Sequence, residues 1–272
     1  MKTIISLGAG VQSSTMALMA AKGEIGPMPD AAIFADTGWE PKKIYEWLDW
    51  LEKQLPFPVY RVSAGNIRDD LMAPAETRRR IAAVPFYLDM SIGAAISRRQ
   101  CTKEYKIVPI ERKAREIAGL KKGERCTEIR VEQWIGISLD EIQRMKGPRK
   151  KWTKHRWPLV EQRMTRHDCL NWMAKNNYPT PEKSSCIGCP YHSDTHWAEM
   201  KVNAPDEWAD AIAVDNAVRG GGTVASRGIK GKQYMHRSLI PLEHVDLRSE
   251  EDKGQLPFQF GFANECEGMC GV

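Results

Sequence analysis

The chain opens on a segment that fixes much of what can follow. Lys2-Thr3-Ile4-Ile5-Ser6 reads as a short strand, residues 7–12 as a Gly-rich loop, and Ser13-Ser14-Thr15 as the opening of a helix. Such a segment is a trap for an anion. Gly8, Ala9 and Gly10 let the backbone approach a ligand closely, Ser13 and Ser14 add hydroxyl donors, and the helix start offers unpaired N–H groups with partial positive charge. A nucleotide is the ligand this suits. The alternative is an ordinary strand-to-helix turn, which needs one Gly and no hydroxyl pair.

The pattern repeats downstream. Strands are expected at residues 3–7, 31–35, 59–62 and 132–137, each short, apolar and followed by turn or polar residues. Helices are expected at 13–22, 41–54 and 107–118, the second opening on Pro41 and carrying Ile44, Trp47, Leu48 and Leu51 on one face. Alternating β and α elements predict an α/β fold: a Rossmann-like parallel sheet with helices on both faces, binding its ligand at the carboxyl ends of the strands. From about Thr165 the character turns helical, at 167–176, 193–201 and 205–218. Residues 1–164 are therefore read as a nucleotide-binding domain, and 165–272 as a helical C-terminal extension with a cysteine-bearing tail. The Gly-rich, basic stretch 220–231 reads as a mobile loop, either a substrate lid or a surface connection.

At 272 residues the chain can bury a full core. It has no apolar run long enough to span a bilayer and leads directly into a strand, so a cytoplasmic location and no membrane partner are expected. The net charge of +5 is mild, but cations cluster at Arg78-Arg79-Arg80, Arg98-Arg99, Lys121-Lys122 and residues 146–156. Such clusters suit a nucleotide's phosphates or a nucleic acid, and equally a solvated charged face. Seven cysteines fit metal or redox chemistry better than a disulfide framework.

Asp36-Thr37-Gly38-Trp39-Glu40 follows the second strand at the ligand edge, where an acidic residue commonly reads sugar hydroxyls or helps hold a metal-phosphate group; alone it is equally a helix cap or turn. With the first loop it carries a resemblance. Gly8-Ala9-Gly10-Val11-Gln12-Ser13-Ser14 resembles the PP-loop of the ATP pyrophosphatases and phosphoadenylyl-sulfate (PAPS) reductases, usually Ser-Gly-Gly-x-Asp-Ser-Ser/Thr, and Ala35-Asp36-Thr37-Gly38 resembles their next motif. Gly8, Ala9 and Gln12 depart from it. Gln12 removes a carboxylate that would help hold Mg²⁺, so the resemblance implies adenine-nucleotide binding more firmly than ATP cleavage.

Further segments match. Arg99-Gln100-Cys101-Thr102-Lys103-Glu104-Tyr105-Lys106 resembles the Cys-x-x-x-Arg/Tyr-Lys stretch of sulfonucleotide reductases. Gly136-Ile137-Ser138-Leu139-Asp140-Glu141-Ile142-Gln143-Arg144 resembles their Gly-x-x-x-Asp-Glu-x-x-Arg loop, and Trp157-Pro158-Leu159 onward to Asp168 resembles their Pro-Leu-x-x-Trp-Thr-x-x-Asp-Val stretch. The resemblance spans about residues 1–200. It implies nucleotide contacts from Ser6, Gly8, Ala9, Gly10, Gln12, Ser13, Ser14, Asp36, Thr37, Gly38, Arg98, Gly136, Asp140 and Arg144.

Cys186-Ile187-Gly188-Cys189-Pro190 places two thiols about one turn apart, suiting chelation; a redox dithiol is the competing reading. The resemblance makes Cys101 a third ligand of a 4Fe-4S cluster. Gln100 stands where a tandem cysteine would supply the fourth, so either the fourth ligand comes from elsewhere or one iron is left open; the tail offers two candidates, with Cys270 favoured as ligand and Cys266, in a Glu-Cys context like the reductases' tail, as nucleophile. An inert tail is the alternative. Zinc is the rival metal, with His192 and His196 near Cys189, although these two histidines also suit a solvent-facing helix. Cys126 and Cys169 read as structural. Lys106 reads either as a charge tuning the cluster and its chemistry, or as a solvent lysine at a helix start.

The leading expectation is an iron-sulfur sulfonucleotide reductase-like enzyme acting on APS (adenylyl-sulfate) or PAPS with a thiol reductant such as thioredoxin. The alternatives are an ATP-dependent sulfurtransferase, with Mg²⁺, that modifies a nucleic acid or small molecule, and a non-catalytic zinc-stabilised nucleotide or nucleic-acid binding module.

Overall fold

The computed structural model describes residues 1–77, 81–91 and 93–248. In chain order its elements are β1 (Lys2–Leu7), α1 (Val11–Ala21), β2 (Ala31–Asp36), α2 (Lys42–Glu52), β3 (Val59–Ser63), α3 (Ile67–Met72), β4 (Tyr87–Met90) and β5 (Gly93–Ile96). A π-helical turn (Thr102–Ile107) leads into α4 (Val108–Ile117), then β6 (Val131–Ile135), a 3₁₀ turn (Leu139–Arg144), β7 (Thr153–Arg156), α5 (Pro158–Glu161), α6 (Arg166–Lys175), α7 (Asp194–Asn203), α8 (Pro205–Gly220) and β8 (Lys232–Tyr234).

The chain divides into two compact units, the first comprising Met1–Ala64 and Thr102–Ser185. Its five strands are all parallel, in the order β3-β2-β1-β6-β7. Successive strand residues point to opposite faces, and the core divides accordingly. Ile5, Leu7, Ala32, Phe34 and Trp134 face α1, α2 and α6, whereas Ile4, Ile33, Ala35 and Val131 face Ile110 and Ala114 of α4. This is the expected α/β fold with helices on both faces of a parallel sheet. Each fully buried Ile or Leu in these layers contributes roughly 1.5–3 kcal/mol relative to exposure.

The fifth strand, β7, hides in the basic run. Lys154 and Arg156 mask its strand character, and both pair with Glu132 on the adjacent β6, so the charges sit on the sheet instead of in a loop. α1 is not one-sided: every residue from Val11 to Ala20 is buried. Helix α6, read as the start of the C-terminal region, belongs to the first unit, because Cys169 and Met173 are fully buried in the same core as α1.

The second unit joins Gly65–Cys101 to the segment beginning at Cys186. It holds a three-stranded antiparallel sheet, β5-β4-β8, with α3, α7 and α8. The pairing of β4 with β8 links residues some 140 positions apart in sequence, which no local pattern announces. One buried carboxylate organises the far end: Asp215 accepts from the backbone N–H of Met235 (2.7 Å) and Leu242 (3.1 Å) and pairs with Arg219. The stretch read as a mobile loop holds a 3₁₀ turn, Val224–Ser226, capped reciprocally by Thr223 and Ser226. It closes on Gly231, whose φ of +96° is left-handed and where an added Cβ would lie 2.2 Å from the Asp89 carbonyl oxygen.

Gly231→Ala is therefore expected to lower unfolding free energy by about 2–4 kcal/mol, combining backbone strain with a clash against the β4 backbone. Gly221→Ala, at φ +79° and ψ −173° with open space around it, carries backbone strain alone, about 1–3 kcal/mol, and should cost less than Gly231→Ala. Chemical denaturation of the two variants beside the wild type checks the difference.

Candidate nucleotide-binding site

The loop between β1 and α1 is held from within. Ala9 takes a left-handed φ of +59°, the conformation for which glycine is the default, so a side chain larger than a methyl would add strain to a fully buried position. Gly8 N–H donates to Ser13 Oγ (3.1 Å), Ser13 Oγ lies 3.4 Å from the Gly10 carbonyl, and Ser184 Oγ donates to the Gly8 carbonyl. The first intrahelical bond is Ser14 N–H to Gly10 O (3.0 Å). No side chain caps α1 and its first turn has no acidic residue, so the N–H groups of Val11, Gln12 and Ser13 lack the carbonyl a preceding turn would give them. The predicted hydroxyl donors have structural duties as well: Trp47 Nε1–H donates to Ser14 Oγ (3.0 Å), and Gln133 Nε2–H donates to Ser6 Oγ.

Gln12 is the centre of a network. Fully buried, it directs Nε2 toward Glu141 Oε2 (3.3 Å) and Ser138 Oγ (3.5 Å), while its Oε1 accepts from Arg166 Nη1 (3.1 Å). Arg144 pairs with Glu141, and Asp140 Oδ1 accepts from the Arg166 backbone N–H (3.0 Å). The two motif residues Asp140 and Arg144 are thus joined to the loop through Gln12, Glu141 and Arg166. A carboxylate in place of Gln12 would face Glu141 directly; the amide can donate to that carboxylate while accepting from the arginine. Gly136 completes the joint. A Cβ there would lie 2.8 Å from Ser13 Cα and N, so strand and helix start approach as closely as a hydrogen side chain permits.

The second motif is equally knit. Gly38, at φ +71°, donates its N–H to Asp36 Oδ1 (2.7 Å), and Tyr45 OH donates to the same oxygen (2.8 Å). Burial and then this bond push the Tyr45 hydroxyl above its ordinary range, so it remains a donor throughout the physiological range. Thr37 Oγ1 donates to Glu40 Oε1 (3.0 Å), and Lys106 Nζ lies 3.3 Å from that oxygen. Lys106, only 6 % exposed, is therefore not a solvent lysine. It leaves the π-helical turn to neutralise a buried carboxylate, and removing either partner of such a pair typically costs about 3–5 kcal/mol.

Arg98 is exposed in the second unit, and its neighbour Arg99 lies over the Tyr191 ring at 5.2 Å. Cys101, Cys186 and Cys189 are half-buried thiols of the same unit. The backbone N–H groups of Gln100 (2.9 Å) and Cys101 (3.1 Å) both donate to the Ala83 carbonyl, and Gln100 Oε1 accepts from Ala83 N–H (3.3 Å), giving the amide a structural task. Cys189 N–H closes a turn onto the Cys186 carbonyl (3.1 Å). His192 is the residue that sequence reasoning misplaced: it precedes α7, is buried, and its Nε2 lies 2.9 Å from the Cys186 carbonyl and 3.1 Å from that of Ile187. It stacks on His196 (3.9 Å) and meets Trp197 edge-on, so it braces the cysteine turn from inside.

Among the described residues no group of three or more His, Cys, Asp or Glu converges to hold a metal ion. Cys101, Cys186 and Cys189 do not by themselves form a ready cage, and no step is assigned to a cluster. Cys266 and Cys270 lie outside the described residues. Cys169 is a core side chain, and Cys126 Sγ donates to the Glu128 carbonyl (3.3 Å). Glu141, Ser138, Arg166 and Ser184 escaped the sequence reading. Only Ser138 and Glu141 fell inside a recognised motif, at its variable or unassigned positions. No helix among the described residues is long and apolar enough to cross a membrane.

No family model and no curated protein matches the chain. Among solved structures it is similar to the PAPS reductase from Candida auris in a phosphate complex, with 12 % identity over 68 % of this chain and 80 % of that one and a TM-score of 0.40. It is also similar to the U34-tRNA thiolase NcsA from Methanococcus maripaludis with its 4Fe-4S cluster, with 15 % identity over 96 % and 84 % of the two chains and a TM-score of 0.39.

Gly136→Ala tests the joint between sheet and loop. It should lower stability by about 1–3 kcal/mol through overpacking. Chemical denaturation beside the wild type measures the loss.

Proposed function

We propose that the first unit binds an adenine nucleotide with its phosphate or sulfate end at the open N-terminus of α1, and that the chain is a PP-loop-type enzyme that moves or reduces sulfur. The observation that carries this is the loop itself: left-handed Ala9, an internally braced Ser13 and a buried, uncapped helix start aimed from the carboxyl end of β1. Those N–H groups favour an anion, and the surrounding burial strengthens each contact they make. Asp36 stands at the end of β2, where a sugar hydroxyl is commonly read.

In the favoured reaction the Cys266 thiolate attacks the sulfur of APS or PAPS. A sulfur–sulfur bond forms, the bond from sulfur to the bridging oxygen breaks, and the nucleotide leaves with its phosphate. A dithiol reductant then attacks the cysteine sulfur, releasing sulfite and forming a mixed disulfide, and its second thiol displaces the Cys266 thiolate and closes the reductant's own disulfide. Gln12 supports this reading over Mg²⁺-dependent ATP cleavage, because the neighbouring carboxylate Glu141 is committed to Arg144 and Gln12.

A second reading, adenylation of an acceptor by ATP with loss of pyrophosphate and delivery of sulfur, is favoured by Gln100, whose amide serves the backbone at the position of the reductases' tandem cysteine. Incubation with APS, PAPS and ATP separately distinguishes them. Sulfite release without pyrophosphate, lost in Cys266→Ser, is the expected outcome; pyrophosphate release that depends on an acceptor would replace it with the second reading.

Cys101, Cys186, Cys189 and Cys270 are the proposed ligands of a 4Fe-4S cluster, with zinc as the rival. Protein purified without oxygen should contain about four iron and four sulfide per chain, and Cys186→Ser should lose most of both. A colourless preparation holding one zinc would overturn the cluster assignment.

A further inference from the structure

On the α4 side of the sheet the first unit holds a cleft open to solvent, about 560 Å³ with that open space included, which shares Gln133 and Arg144 with the network around the α1 loop. Ile107 from the π-helical turn, Ile135 at the end of β6 and Ile137 just beyond give it apolar walls, with the buried polar side chains of Gln133 and Thr153 among them. Half-buried Arg144, paired with Glu141, also lines it, whereas Lys146, Arg149 and Lys150 are exposed.

The walls carry directional polar groups. Trp157 lines the cleft, and its indole Nε1–H is buried with no hydrogen-bond partner among the described residues. A buried orphan donor of this kind costs about 1–3 kcal/mol, which an acceptor on a ligand would recover. Beside it, edge-on at 6.0 Å, His155 has Nδ1 2.8 Å from the Lys146 carbonyl. Burial holds the imidazole below its ordinary pKa, so near neutrality the ring is uncharged, Nδ1 donates to that carbonyl, and Nε2 is an acceptor. Glu111 faces the same space, its carboxyl pushed up by burial against the opposing pull of Lys150, Arg149 and Lys103. A slot with one donor and one acceptor on its walls and exposed cations lining it matches a heteroaromatic base with phosphates attached.

We infer that this cleft receives one unpaired base of a single-stranded polynucleotide, with the adjoining phosphates on Lys146, Arg149 and Lys150. A duplex cannot supply the base without unstacking it. A mononucleotide uses one or two cations, whereas the consecutive Arg149-Lys150-Lys151 suits consecutive phosphates. The inference is independent of the reaction at the α1 loop. It also places the strand close to that loop, because Gly136, between Ile135 and Ile137, touches Ser13.

Fluorescence anisotropy of the full chain with labelled single-stranded RNA, single-stranded DNA and the matching duplex tests it. Both single strands should bind more tightly than the duplex, with the RNA and DNA arms showing whether the sugar is also read. The exposed pair Arg149→Ala/Lys150→Ala should weaken single-strand binding by about tenfold or more and reduce the slope of affinity against salt by about two. Trp157→Phe, which keeps an aromatic side chain but replaces the indole with a smaller ring that has no N–H, should alter the preference among homopolymers while leaving the salt slope unchanged. Equal binding of duplex and single strand, or variants that bind like the wild type, would overturn the inference. So would AMP or ATP displacing the strand with the same sensitivity to these substitutions, which would make the cleft part of the small-nucleotide site.

Discussion

Burying a helix on every side removes water from all its polar groups, and the first unit depends on how α1 resolves that demand. Gln12, Ser13, Ser14 and Thr15 lie in consecutive positions inside the core, where an unpaired polar atom would be costly. Thr15 returns its hydroxyl to the Val11 carbonyl, Ser14 meets Trp47 from α2, Ser13 takes the Gly8 N–H, and Gln12 reaches the segment after β6 and the first residue of α6. The backbone N–H groups at the helix start are left without such partners. Side-chain satisfaction and backbone openness arise together: the burial that stabilises the fold also leaves the start of α1 uncapped.

Charge is handled similarly. Lys106 and Glu40 neutralise one another where both are buried, and Glu141 is compensated by Arg144 while bonded to a neutral amide. Both of these buried carboxylates are therefore compensated within the fold, Glu40 by Lys106 and Glu141 by Arg144. A π-helical turn carries Lys106 into place immediately before α4; such turns often re-aim a side chain where a regular helix would point it elsewhere.

The sheet was legible because its central strands are apolar runs broken by turn residues, and the nucleotide loop because glycines and hydroxyls follow a strand without delay. β7 was illegible for a physical reason: Lys154 and Arg156 are charged strand residues whose partner, Glu132, is distant in sequence. The second unit was read as helices with a loop because the β4–β8 ladder depends on pairing between remote, short and partly polar segments. At the site, motif residues such as Ser13, Asp140 and Arg144 were visible, whereas Arg166 and Ser184 were not, since their roles exist only once the chain folds back. His192 carried a misleading signal, its spacing to His196 suggesting a helical face although the helix begins after it.

The amide at Gln12 has a consequence beyond hydrogen bonding. A carboxylate at that position would gain and lose a proton with acidity and would follow any bound cation; an amide does neither. The connection it makes between the helix start and the Arg166 segment does not titrate, so at this position the nucleotide loop lacks a built-in sensor of acidity or divalent ions. Chemical ageing of the same group, by hydrolysis to glutamate, would create such a sensor and set two carboxylates against each other at the heart of the site.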